Sequence, residues 1–191
     1  MLIPLFKSGG SKRKLDMKKH IRSLIRLLNS HIPECLIGAE IGVWKGELSQ
    51  AVLSAFPRLH MILVDPWEQS TDGGGITGGT IDVLANAKAE AFHNLSEFRD
   101  RVAVMETQSS VAAKKIEPCL LDFVFIDARH DYENVKVDLQ TWYPKVRPGG
   151  LVCGHDYSRH KKGVIRAVHE LADEHGRDVG NMPGLVWWFL K

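Results

Sequence analysis

The stretch Gly38-Ala39-Glu40-Ile41-Gly42-Val43-Trp44-Lys45-Gly46-Glu47-Leu48 constrains this chain more than any other. It follows Cys35-Leu36-Ile37, an apolar run that reads as a short buried strand. Beyond it, Leu48, Ala51, Val52 and Ala55 recur at i, i+3, i+4 and i+7, one face of a helix that Pro57 closes. Strand, glycine turn and helix in that order form the first half of a βαβ unit. Gly42 and Gly46 can take backbone angles that side chains disfavour, and they let a ligand approach the main chain closely. The helix starting near Gly46 offers unpaired N–H groups and the positive end of its dipole. Glu40, at the strand's end, aims a carboxylate at the same crevice.

Met61-Ile62-Leu63-Val64-Asp65 is the second strand. Its terminal acid comes about twenty residues after the turn, a spacing suited to gripping ribose hydroxyls. A nucleoside-containing cofactor is the implication. The pattern is E-x-G-x-x-x-G, however, not the three-glycine G-x-G-x-x-G of dinucleotide sites. It resembles the first motif of class I S-adenosylmethionine-dependent methyltransferases. That resemblance implies that Glu40, Gly42, Lys45 and Gly46 border the amino-acid part of S-adenosylmethionine, and that Asp65 holds its ribose.

The other elements repeat the same alternation. Met17, Ile21, Leu24, Ile25 and Leu28 predict a helix before the first strand. Ile81, Leu84, Ala85, Lys88, Ala91, Phe92 and Leu95 predict a second-half helix, and Arg101–Met105 a third strand. Ser109 or Ser110 suits the cap of a short helix through Ala113. The resemblance also makes Gln108 and Ser109 candidates for lining the adenine. Leu121–Asp127 is a continuous apolar run fitting a parallel strand covered on both faces. A helix from Tyr132 to Tyr143 follows, then a Val146–Gly150 turn, a Leu151–Gly154 strand and a helix marked by Val164, Val168 and Leu171. Leu185–Leu190 is a last strand, hairpinned with residues near Arg177 to Gly180. The expected fold is α/β: one Rossmann-like class I methyltransferase domain over residues 16–191. Its seven-stranded sheet is mostly parallel with a C-terminal antiparallel strand, and helices cover both faces.

Residues 1–15 read as a flexible arm, with Ser8-Gly9-Gly10-Ser11 a linker. From Lys7 to Arg26, eight Lys and Arg face Asp16 alone, so this stretch carries +7 of a net +2 and the remainder −5. Such an arm could meet an anionic partner, but no aromatic interleaving beyond Phe6 supports nucleic acid. Thr71–Thr80 holds five glycines in ten residues after a strand's carboxyl end, the composition of a lid or of a loose connection. Hydrophobic and charged contents of 44% and 25% are ordinary for a globular domain. No apolar run reaches the roughly 20 residues a membrane span needs, and no signal-peptide pattern is visible. Cys35, Cys119 and Cys153 lie in or beside predicted buried strands with no C-x-x-C pair, so reduced thiols and a cytoplasmic location are expected. A homodimer is left open.

The chemistry is expected in Asp127-Ala128-Arg129-His130-Asp131-Tyr132 and Gly154-His155-Asp156-Tyr157. Both segments leave the carboxyl ends of neighbouring strands. Two carboxylates converging there suit a hard divalent cation held by oxygens, and His130 is placed to act as a general base. D-x-x-H-x-Y with a later acid after P-G-G is similar to the metal-dependent sugar O-methyltransferases of macrolide tailoring. That likeness implies Asp127 and Asp156 as ligands of Mg or another divalent metal and His130 as the base, with Asp127 also beside the cofactor. It departs at His155, where those relatives carry an acid: a nitrogen favours a transition metal, or His155 points away. The implied reaction is O-methylation of a small-molecule or glycan hydroxyl. A nicotinamide-dependent oxidoreductase and a non-catalytic cofactor-binding module are the alternatives.

Overall fold

A computed structural model describes residues 18–68 and 80–191. The basic arm, Met17 and the glycine-rich connection from Thr71 to Gly79 lie outside the described residues. The chain begins with α1 (Lys19–His31), β1 (Ile37–Ile41), α2 (Glu47–Ala55), β2 (His60–Val64), α3 (Ile81–Asn94) and β3 (Val102–Met105). It continues through α4 (Ser109–Ala113), β4 (Leu121–Ile126), α5 (Tyr132–Trp142) and β5 (Val146–Gly154). Last come α6 (Lys162–Glu174), β6 (Gly180–Met182) and β7 (Val186–Leu190).

The described strands form one seven-stranded sheet in the order β3-β2-β1-β4-β5-β7-β6. Only β7 runs against its neighbours, pairing antiparallel with both β5 and β6. The expected fold is the observed one. Alternation along β4 shows why the sheet has two covered faces. Phe123 and Phe125 join Leu24, Leu28, Val52, Leu53 and Ala87 in a core beneath α1, α2 and α3. Val124 and Ile126 join Ala112, Val135, Leu139 and Val168 in a second core beneath α4, α5 and α6.

Three local expectations change. β1 starts at Ile37, so Cys35 and Leu36 precede it: the Leu36 and Ile37 N–H groups donate to Asp122 Oδ2 at 2.6 and 2.9 Å. The expected Val146–Gly150 turn belongs to β5, whose Val146 pairs with Leu121 before the register shifts near Phe123. A left-handed Gly149 (φ 73°) sits at that irregularity. Cys35 and Cys153 are buried, but Cys119 is exposed: it lies in the link before β4 with φ 58°, outside either core.

Candidate active site

Asp127 and His155 each sit one residue beyond a paired position, because Ile126 is matched with Gly154 across β4 and β5. Backbone bonds hold both: the Asp127 N–H donates to Ile41 O at 2.8 Å and the His155 N–H to Ile126 O at 3.1 Å. Asp131, not Asp127, caps α5, accepting from the Asn134 N–H at 3.1 Å. Asp127 is thereby left to the crevice. His130 Nε2 lies 2.6 Å from Asp156 Oδ2 and 3.8 Å from Asp127 Oδ1. His155 Nδ1 lies 3.4 Å from Asp127 Oδ1 and 3.7 Å from Asp156 Oδ1. Asp127, His130 and Asp156 each offer a ligand atom within 4.8 Å of the others. Asp156 takes φ 61°, a conformation that costs a side-chain-bearing residue roughly 1–2 kcal/mol. That strain turns its carboxylate toward both histidines.

Opposed charges set the protonation here. Hydrogen bonding to Asp127 and Asp156 raises His130 to about 9 against the pull of burial. Asp156 is the nearer of the two partners. The same His130 bond holds Asp156 below its usual range. Burial opposes charge on His155, but the neighbouring Asp127 and Asp156 carboxylates favour it, and the balance raises its pKa. His20, on α1, was not singled out in the sequence. Its ring lies 4.7 Å from that of His155, and burial first, then the His155 charge, lowers its pKa. A lone histidine on an amphipathic helix carries no signal of this; α1 has to dock first.

The glycine loop borders the same edge. Gly42 has φ 90°, and a Cβ there would stand 2.3 Å from Asp127 O. Gly46, at φ 71°, heads α2. Asp65 anchors the loop between them: Oδ2 accepts from Val43 and Trp44 N–H, both at 2.9 Å, and Oδ1 from Trp67 N–H at 2.8 Å. Trp67 Nε1 then donates to Trp44 O at 2.8 Å. Burial raises the Asp65 pKa while those backbone bonds oppose the rise. Glu40 lies within β1, 3% exposed, and takes a hydrogen bond from the Ser49 hydroxyl of α2. Burial, with Asp127 and Asp65 nearby, pushes its carboxyl up to about 8.

Other expected residues are engaged elsewhere. Lys45 Nζ pairs with Glu90 of α3 at 2.7 Å. Gln108 precedes α4 and is exposed, and its carbonyl accepts from Val111 and Ala112. Neither serine caps α4 with its side chain: the Ser109 hydroxyl accepts from Trp142 Nε1 at 2.8 Å, tying α4 to α5. Tyr132 clamps α5 to α6 by donating to Glu170 Oε2 at 2.5 Å. An apolar cleft of about 230 Å³ lies between α3 and the strands β2 and β3, lined by Leu63, Trp67, Phe92, Leu95 and Val104 among others but by none of the acids above.

A family model described as a methyltransferase domain matches residues 39–157. A protein of Sinorhizobium fredii (strain NBRC 101917 / NGR234), y4gI, described as uncharacterized, is 29% identical over 125 residues. Those residues are 64% of this chain but 13% of that protein, so the chain spans a small part of the relative's length. The O-methyltransferase from Bacillus cereus, solved in complex with SAH (S-adenosylhomocysteine), matches with a TM-score of 0.66 at 18% identity. That alignment covers 90% of this chain and 80% of the other. CalS11, a TDP-rhamnose 3'-O-methyltransferase of calicheamicin biosynthesis, matches with a TM-score of 0.60 at 15% identity, over 90% and 78%. At these identities the likeness is one of fold.

Proposed function

This chain belongs to the methyltransferase-domain family, and on that footing we propose that it transfers a methyl group from S-adenosylmethionine to a hydroxyl of a small molecule or sugar. The observation that carries this reading is the convergence of Asp127, His130 and Asp156 beside the Gly42 loop. The fold neighbours that act on hydroxyls, one of them on a nucleotide sugar, support it.

The residues present fit such a cofactor. An ionised carboxylate can accept about four hydrogen bonds. Asp65 has the three loop N–H donors, so one position remains for a ribose hydroxyl. Glu40, held largely uncharged by burial, regains its charge if the amino group of the methionine part approaches it. The set at β4 and β5 fits a divalent cation, which Asp127 and Asp156 would hold through carboxylate oxygens that lie within 4.8 Å of each other. A cation there supplies Lewis acidity to an acceptor hydroxyl and lowers its pKa.

The chain's own residues then do the rest. The 2.6 Å pairing with Asp156 Oδ2 is that of a protonated His130, which the two carboxylates favour; a cation held by Asp127 and Asp156 would weaken that hold, so that His130 could give up its proton to solvent and then take the hydroxyl proton at Nε2. The acceptor oxygen forms its bond to the methyl carbon as the carbon–sulfur bond breaks, leaving neutral S-adenosylhomocysteine. Alignment of oxygen, carbon and sulfur supplies much of the rate.

Calorimetry with S-adenosylhomocysteine and, separately, with NAD tests the cofactor. Binding of the first alone is expected; binding of NAD alone makes the chain an oxidoreductase. Mass spectrometry of a panel of sugar and catechol diols with S-adenosylmethionine then reads a gain of one methyl. A cofactor-binding protein that methylates none of them would turn the reading to a non-catalytic module.

A further inference from the structure

Beyond Asp156 the chain turns basic. From Tyr157 to His169 it carries Arg159, Lys161, Lys162 and Arg166 and no acid, although the chain outside its first 26 residues has a net charge of −5. Backbone bonds hold the start of this stretch against the site. The Ser158 N–H donates to Asp156 O at 2.7 Å, Lys161 N–H to Ser158 O at 2.9 Å and Tyr157 N–H to Leu185 O at 2.9 Å. α6 then docks on the segment that carries His130. A Cβ at Gly163 would stand 2.7 Å from Tyr132 N and 3.2 Å from the Asp131 carbonyl carbon. Lys161 therefore sits between Asp156 and a backbone contact with the His130 segment.

Lys161 is partly buried, yet no carboxylate among the described residues pairs with it. The acids nearest to hand are already engaged. Asp156 Oδ2 lies 2.6 Å from His130 Nε2, and Asp131 accepts from the Asn134 N–H at 3.1 Å and from its Nδ2 at 2.9 Å. Arg166, farther along α6, is answered by Glu170 Oε1 at 2.8 Å. The Lys161 charge still reaches the site, where it opposes a proton on His130 and favours ionised Asp156. An ammonium that loses hydration without gaining a counter-charge is costly unless a ligand supplies that charge.

The place of Lys161 decides which ligand that is. The Glu40, Gly42 and Asp65 frame belongs to β1 and β2, and β4 separates β1 from β5. Lys161 follows β5, so it lies on the side of Asp127 away from that frame, where an acceptor enters. Arg159 and Lys162, both exposed, flank it. Three cations in four residues suit the double charge of a phosphoryl group better than a single carboxylate. Lysine meets such a group as a point charge and arginine as a two-pronged donor.

We infer that Lys161, with Arg159 and Lys162 at the rim, binds a phosphoryl group on the methyl acceptor, so that the hydroxyl offered to His130 belongs to a sugar phosphate or a nucleoside diphosphate sugar. The phosphoryl group stays intact and serves to fix the hydroxyl in line with the methyl carbon. This rests on the O-methyl transfer reading above and narrows its acceptor.

The probe is inorganic pyrophosphate, titrated calorimetrically into the full chain with and without S-adenosylhomocysteine, so that the anion site is read whether or not the cofactor binds. The wild type is expected to bind it at millimolar concentration or below. Lys161→Met should weaken that binding about tenfold to a hundredfold, the worth of a charged hydrogen bond, and Lys161→Arg should restore most of it. Arg166→Met removes the same charge from a paired position and should change nothing. S-adenosylhomocysteine affinity should hold in Lys161→Met. Mass spectrometry with a sugar, its 1-phosphate and its nucleoside diphosphate ester then shows which phosphorylated form gains the methyl group. Failure of pyrophosphate to bind at millimolar concentration would overturn the inference. So would an equal loss in Arg166→Met, which makes the effect one of net charge alone. A loss of S-adenosylhomocysteine affinity in Lys161→Met would move Lys161 to the cofactor. Methylation of a neutral sugar that pyrophosphate does not inhibit would remove the phosphoryl site and leave O-methyl transfer standing.

Discussion

The two halves of the sheet's carboxyl edge solve their polar groups in opposite ways. At β1 and β2, Asp65 is answered by three backbone N–H groups and Glu40 by the Ser49 hydroxyl. Those partners are neutral, and their carboxyls are pushed up by burial. At β4 and β5, Asp127, Asp156, His130 and His155 chiefly answer one another, and Asp156 is held low while both histidines are held high. Among the described residues no buried side-chain polar atom lacks a hydrogen-bond partner, so neither half is a packing defect. The first half is a preorganised frame. The second is a set of charges whose balance can be changed by an ion or a proton, as reacting groups require.

Gly42 joins the halves, and breaking it should have the largest effect. Gly42→Ala sets a Cβ 2.3 Å from Asp127 O at a φ of 90°. A loss of about 3 kcal/mol or more is expected in denaturant unfolding, since both strain and backbone displacement are forced. A loss below about 1 kcal/mol would mean the two halves are not coupled through this contact. His130→Ala should slow methyl transfer by about 10²–10⁴-fold while S-adenosylhomocysteine affinity holds, because the frame is untouched. An equal loss in affinity would place His130 in the frame instead.

Asp65→Ala should do the reverse, costing about 1–3 kcal/mol in stability or cofactor affinity as the loop N–H groups lose their acceptor. Unchanged unfolding and calorimetry would show that the loop stands without it. The pH profile separates the halves more gently. Glu40 binds its proton more tightly folded, at about 8, than at its ordinary 4.5. Its contribution to stability is therefore fully present below about 4.5 and declines as pH rises toward about 8. Glu40→Gln should flatten that decline in pH-resolved unfolding; an unaltered slope would assign it to other groups. Smallest of all, Lys45→Ala should leave S-adenosylhomocysteine affinity within error, because the ammonium pairs with Glu90. A clear loss would show that Lys45 leaves Glu90 for the cofactor.

Much of this was legible in the chain itself. The 3.6-residue hydrophobic period places α1, α2, α3 and α6, and continuous apolar runs place the central strands, because each pattern follows directly from which side chains a helix or a doubly covered strand must bury. The acid closing β2 and the D-x-x-H-x-Y and G-H-D segments are visible for the same reason: strand ends fix where those side chains emerge. The partners of each group were decided only by the tertiary structure. Asp131 rather than Asp127 caps α5, Tyr132 goes to Glu170 of α6, and Ser109 goes to Trp142. His20 reaches His155 across 135 positions, and β5 absorbs what reads as a turn. Such choices depend on register between strands and on how helices dock across the sheet. A hydrogen bond between distant residues leaves no periodic trace in the sequence, since its cost and its geometry are set only when both cores close.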